Sequence, residues 1–187
     1  MSMLFSLRRV TQQALNDLIR DPSDILFYLY GYEPEVPKPG FFARLLGAKT
    51  ESPVKRTWVA PPDDQVLDLD KNWHILHYLF CRQPWDGPLP QSTLMMGGVE
   101  LGDIDVGYGP ARGLRTDEIE AFLGFLESLK KEEFGRDVTS EEVEENEIYA
   151  CEWSPDDGQI LWEYVDALKA FLKKTKNEQH CVILYLY

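Results

Sequence analysis

The sequence predicts a single domain in which amphipathic helices pack against a sheet, and three observations lead there. A chain of 187 residues with a 44% hydrophobic share suits one globular domain with a substantial core. Apolar positions repeat at helical spacing in several segments, most plainly Thr116–Leu129 and Ser154–Lys174. Around them lie β-prone runs, above all the closing Cys181–Tyr187, CVILYLY.

In chain order, Met3–Val10 is a short apolar strand. Thr11 caps a helix running to Arg20, with Ala14, Leu15, Leu18 and Ile19 facing inward. Asp21-Pro22 stops that helix and opens another, Pro22–Tyr30, which is apolar nearly all round and ends at Gly31. Residues 33–64 differ in character. They hold six of the twelve prolines, carry Lys38, Arg44, Lys49, Lys55 and Arg56, and suggest a helix only at Phe41–Leu46. This reads as a proline-rich insertion or long loop on the 1–187 domain, or as an adhesive segment for a partner.

Leu67–Cys81, LDLDKNWHILHYLFC, reads as a core helix capped by Asp68 and Asp70. Leu69, Trp73, Leu76 and Phe80 fall on one side. Asp70, His74, His77 and Cys81 form a stripe about 60° wide beside that arc. Pro84, Trp85, Pro88 and Pro90 follow in a turn-rich stretch, and Thr93–Met96 suggests a short strand. Six of the thirteen glycines then fall within residues 97–113, and Arg112–Arg115 reads as a brief strand. Thr116 caps a helix buried through Ile119, Phe122, Leu123, Leu126 and Leu129. A short acidic helix is expected at Ser140–Asn146 and an alternating strand at Glu147–Trp153. Ser154-Pro155-Asp156-Asp157 opens a last helix that buries Leu161, Tyr164, Val165, Leu168, Phe171 and Leu172. The closing run is an interior strand.

A net charge of −13 argues against a nucleic-acid surface, which needs cations against phosphates. Fifteen acids face only Lys130, Lys131 and Arg136 between Asp117 and Asp157. Glu141, Glu142, Glu144, Glu145 and Glu147 are the densest part, either a solvated helix face or an acidic docking patch. The three cysteines form no CxxC pair, so neither a disulfide framework nor a zinc ribbon is indicated. There is no signal pattern and no apolar run long enough to span a bilayer, so a cytoplasmic, non-membrane protein is expected.

His74 and His77 with Asp70, and Cys81 one turn on, are the sharpest chemical grouping. The HExxH pattern is absent, and histidines bordering an apolar face more often bond a carbonyl or carboxylate, so no metal and no cofactor are expected. GYGPARG, residues 107–113, lacks both the dinucleotide fingerprint and GK[ST]. It offers a rigid turn that aims Tyr108 and Arg112, whose guanidinium can grip an anion or fasten the loop to a carboxylate such as Asp70. No GxSxG elbow is present, and Cys81 has no catalytic partner in view.

LDLDKNWHILHYLF (Leu67–Phe80) and GYGPAR (Gly107–Arg112), followed by Glu147-Ile148-Tyr149, resemble the YfbM-like family, small bacterial proteins classed as a domain of unknown function. The resemblance implies a single α+β domain, a mixed or antiparallel sheet of about four to five strands packed with helices. It implies no activity; it marks Asp70, Lys71, Trp73, His74, His77, Tyr108, Pro110 and Arg112 as motif members without roles. Three functional readings follow. The first is a non-catalytic ligand- or protein-binding module with a pocket between the 69–81 helix and the 107–113 loop. Asp70, Trp73, His74, His77, Tyr108 and Arg112 would be its ligand-binding residues, and an unknown small ligand its occupant. The second is an enzyme with a histidine base oriented by Asp70 and an anion held by Arg112. The third is an inhibitor- or immunity-type factor that docks a basic protein partner through Glu141–Glu147.

Overall fold

The computed structural model describes residues 2–33, 56–149 and 152–187; the helix expected at Phe41–Leu46 lies outside them. Five strands form an antiparallel sheet. In chain order they are Phe5–Val10 (β1), Val66–Asp70 (β2), Val99–Asp105 (β3), Pro110–Leu114 (β4) and Cys181–Leu186 (β5). In space the order is β2-β1-β5-β4-β3, with Val10 opposite Cys181 and Leu184 opposite both Leu7 and Arg112. The unbroken apolar run of β5 thus occupies the centre, where neither face meets water. Val182 and Leu184 enter one core, and Cys181, Ile183 and Tyr185 the other.

Seven α-helices lie among the described residues. Gln12–Arg20 (α1) and Ile25–Tyr30 (α2) bury Leu15, Leu18, Ile25 and Leu29 on the face of Ile183. The opposite face carries Trp73–Cys81 (α3), Thr116–Ser128 (α5) and Asp157–Asn177 (α7), which supply the larger core around Trp73, Phe122, Val165 and Leu172. Two short helices, Thr93–Met96 (α4) and Ser140–Glu145 (α6), complete the set. Thr11 and the Ser154–Asp157 turn act as anticipated, whereas Thr116 is the first residue of α5 and Arg115 takes the cap position. The Thr11 hydroxyl accepts from the Ala14 N–H at 3.1 Å, and the Asp157 carboxylate accepts from the Ser154 N–H at 2.8 Å. Glu118 serves two backbone donors, Arg115 N–H at 2.9 Å and Gly98 N–H at 3.0 Å, so it caps α5 and fastens the start of β3.

Five segments differ from the expectation. Leu67–Asp70 is the strand β2 and not a capped helix start. Its period-two alternation turns Leu67 and Leu69 to the core, and α3 begins only at Trp73. Thr93–Met96 is a helical turn and not a strand. The Ser92 carbonyl accepts from Met95 and Met96, and the Thr93 hydroxyl donates to the Pro90 carbonyl. In Glu147–Trp153 the described residues form no strand, because Glu147 turns the chain at φ 52° and Ile148 N–H returns to the Val143 carbonyl. Val99–Asp105 forms an edge strand that its glycine and carboxylates did not announce. Pro22–Tyr30 divides into a 3-10 turn, Pro22–Asp24, followed by α2.

Candidate functional site

Helix α3 is apolar on almost every side, so all six residues from Trp73 to Tyr78 are buried, and both histidines with them. Neither imidazole reaches solvent. Nδ1 of His74 accepts from the Tyr149 N–H at 2.8 Å, which leaves Nε2–H to donate to the Pro84 carbonyl at 2.6 Å. The ring lies between Trp73, 4.7 Å away and nearly parallel, and Trp85 at 4.3 Å. Burial lowers its pKa. His77 meets the Asp86 carbonyl at 3.2 Å, and burial together with His74 pushes its pKa down to about 4. Both rings are neutral tethers for the 82–90 loop.

Cys81 Sγ lies 3.4 Å from His77 Nε2, yet the pair is no activated dyad. The carbonyls of His77, Gln83 and Asp86 surround the sulfur, burial raises the thiol pKa, and the neighbouring ring is uncharged. Below it, Arg82 ends α3 in a left-handed conformation and pairs with Asp137 and Glu142. The Tyr78 hydroxyl donates to the same Glu142 at 2.6 Å, tying α3 to α6.

Asp70 stands exposed at the end of β2, outside the helix that carries His74 and His77. In the glycine-rich loop, the Asp105 carboxylate accepts from Gly107 N–H at 2.7 Å and Gly109 N–H at 2.9 Å, which lowers its pKa and stiffens the turn. Arg112 is wholly engaged. Its Nε donates to the Gly97 carbonyl at 2.8 Å, Nη2 to the carbonyls of Gly98 at 2.9 Å and Met96 at 3.3 Å, and Nη1 to Glu100 at 2.8 Å. Arg112 and the half-exposed Tyr108 line a cleft of about 130 Å³ with Phe5, Met95 and Glu100. The Phe5 ring stacks on Trp73 at 6.2 Å, so it stands between this cleft and the histidine helix. Tyr108 and Arg112 therefore share an opening, Trp73 and His74 share a stack, and the six residues do not converge.

A larger concavity, about 820 Å³, lies along α6 and the segment that follows it. Glu144, Glu147 and Glu152 stand around apolar Val143, Ile148, Tyr149 and Trp153. Its floor is held from behind: Tyr149 by His74, Trp153 Nε1 by the Val138 carbonyl at 2.9 Å, and the Trp153 carbonyl by the Ser140 hydroxyl at 2.5 Å. A neighbouring hollow of about 210 Å³ shares Glu152 and Trp153 and extends the concavity to Ile75 and Ile160. Sequence reasoning reached Glu144 and Glu147, and Tyr149 only through the Glu147-Ile148-Tyr149 motif, but gave no role to Glu152 or Trp153. One signal was available: residues 137–168 hold eleven of the thirty-two acids and none of the nineteen Lys and Arg. Among the described residues no group of three or more His, Cys, Asp or Glu is placed to hold a metal ion. No described helix is long and apolar enough to cross a membrane.

A family described as a domain of unknown function (DUF1877) matches residues 1–185. The chain is similar in structure to a crystallised protein of unknown function, YfbM from Escherichia coli. The TM-score is 0.63 at 17% identity over 98% of this chain and 99% of that one, a likeness of fold. No curated protein matches the sequence.

Proposed function

Because the chain belongs to the DUF1877 family, for which the fold comes without a chemistry, we propose that it is a non-catalytic binding module. One observation carries this: the groups an enzyme would use are committed to backbone partners. His74 is bonded through both ring nitrogens, His77 is neutral and sealed, and Arg112 spends its guanidinium on three carbonyls and Glu100. The concavities are lined by carboxylates and aromatic rings, a chemistry of recognition. Of the small-ligand reading, the geometry favours the Tyr108–Arg112 cleft, where Glu100 and the Tyr108 ring supply the remaining contacts.

The module is cytoplasmic on this reading, in keeping with free Cys81 and Cys181. The reading of 33–64 as an insertion draws support from its described ends: Tyr32 is exposed, and Arg56 pairs with Asp24 and Glu33. The test is His74→Ala. Loss of two buried hydrogen bonds and of the ring's packing lowers unfolding free energy by about 3 kcal/mol in urea melts. Wild-type stability in that variant would return His74 to a ligand or catalytic role and overturn the proposal.

A further inference from the structure

We propose that the groove along α6 docks a basic, amphipathic segment of a partner protein; this rests on the binding-module reading and adds its surface and partner chemistry. The groove and its side hollow adjoin at Glu152 and Trp153, which line both, and are together called the trough. Glu144, Glu147 and Glu152 edge it, and none of them enters an ion pair or side-chain hydrogen bond among the described residues. Glu142, two residues before Glu144, is instead bonded through Oε1 to Arg82 and Tyr78. The free carboxylates thus face the opening while the tethered one faces the fold.

Charge complementarity selects the occupant. Residues 137–168 carry no Lys or Arg, and the described cations that reach this stretch, Arg82 and Lys169, go to Asp137, Glu142 and Asp166 rather than to the rim, whereas outside it acids and bases nearly balance. Among the described residues the lysines near the end of α7 are already paired, Lys173 with Glu127, Lys174 with Asp64 and Lys176 with Glu120, so a second copy offers little free basic surface to match the trough. The floor selects amphipathic character. The largely buried Trp153 and the half-buried Tyr149 form its base, Trp153 held by the Val138 carbonyl and the Tyr149 backbone by His74, and Ile160, 65% exposed, supplies the open apolar surface. A preformed floor lowers the ordering cost of binding and gives leucine-like side chains a seat beside the rim.

The test titrates the full chain with a short fluorescein-labelled peptide of alternating lysine and leucine pairs, followed by anisotropy at low and physiological salt. Wild type binds, less tightly at the higher salt. E144Q/E147Q/E152Q weakens binding by roughly tenfold or more, whereas D63N/D103N/D117N, with the same change in net charge, alters it by less than about twofold. Ile160→Ser weakens the leucine peptide but not one with glycine in place of leucine. Equal loss in both triple variants, or equal affinity for the leucine and glycine peptides, would mean unspecific attraction of cations and overturn the inference. Self-association abolished by the groove triple would put a second copy there and overturn it too. Absence of wild-type binding removes the docking inference alone, since the module reading is judged separately by the stability of His74→Ala.

Discussion

Acidification from about pH 7 to about pH 5 should destabilise the fold through His77. An unfolded-chain imidazole titrates near 6.5, while burial pushes that of His77 down to about 4. Between these values the unfolded state binds a proton that the native state refuses, so stability falls as the pH falls through the window. The whole gap corresponds to about 3 kcal/mol at the acid limit, of which about 2 kcal/mol is lost by about pH 5. His74, its pKa also lowered by burial, adds in the same direction. Mutual repulsion among the carboxylates of residues 137–168 eases over the same range and opposes the loss. The readout is therefore a difference. His77→Gln keeps a donor for the Asp86 carbonyl but does not titrate. Urea, being uncharged, leaves the electrostatics unscreened, and tryptophan fluorescence follows unfolding. Wild type should lose about 2 kcal/mol more than His77→Gln between those pH values. Parallel stability curves would refute the assignment of a sealed, neutral ring.

Two further outcomes follow from contacts already described. Arg112→Met strips the Met96–Gly98 carbonyls of their donor and should cost about 2–3 kcal/mol in thermal or urea melts, with amide protection lost first around Gly98 and Gly113. Arg112→Lys recovers less than half, since one ammonium cannot replace the fork. The glycines divide by surroundings: Gly98→Ala places a Cβ 2.5 Å from the Gly113 carbonyl oxygen at φ 75° and should cost about 2 kcal/mol or more. Gly124→Ala, in α5 with nothing within 4 Å, should instead add roughly 0.5–1 kcal/mol.

Segments whose local pattern agrees with their final place were legible: α1 with its Thr11 cap, α5 and α7 with their apolar repeats, and β5 as an unbroken interior run. LDLD was misread because two leucines two apart fit a strand face and a helix start equally well, and the following helix lent its period. VELGDID is an exposed edge strand, so tertiary pairing with β4 rather than β-propensity makes it. The histidines were rightly placed beside an apolar arc. What covers them, the carbonyls of Pro84 and Asp86, belongs to a loop that no periodicity describes. The trough's acidic rim was readable on α6, whereas Tyr149 and Trp153 reach it through irregular turns.

The two halves of the sheet, β2 with β1 and β4 with β3, are strand-paired only through β5, and Val10 and its partner Cys181 lie 171 positions apart in the chain. During synthesis both halves emerge with one inner strand border unclaimed, and before β5 is made only α1 and the Pro22–Asp24 turn, packed against β3, can hold them together. Closure of the hydrophobic interior is thus a late event governed by the longest loop the chain can draw shut. A ribosome that stalls inside α7 would release a chain with two unpaired strand borders, each open to edge-to-edge association.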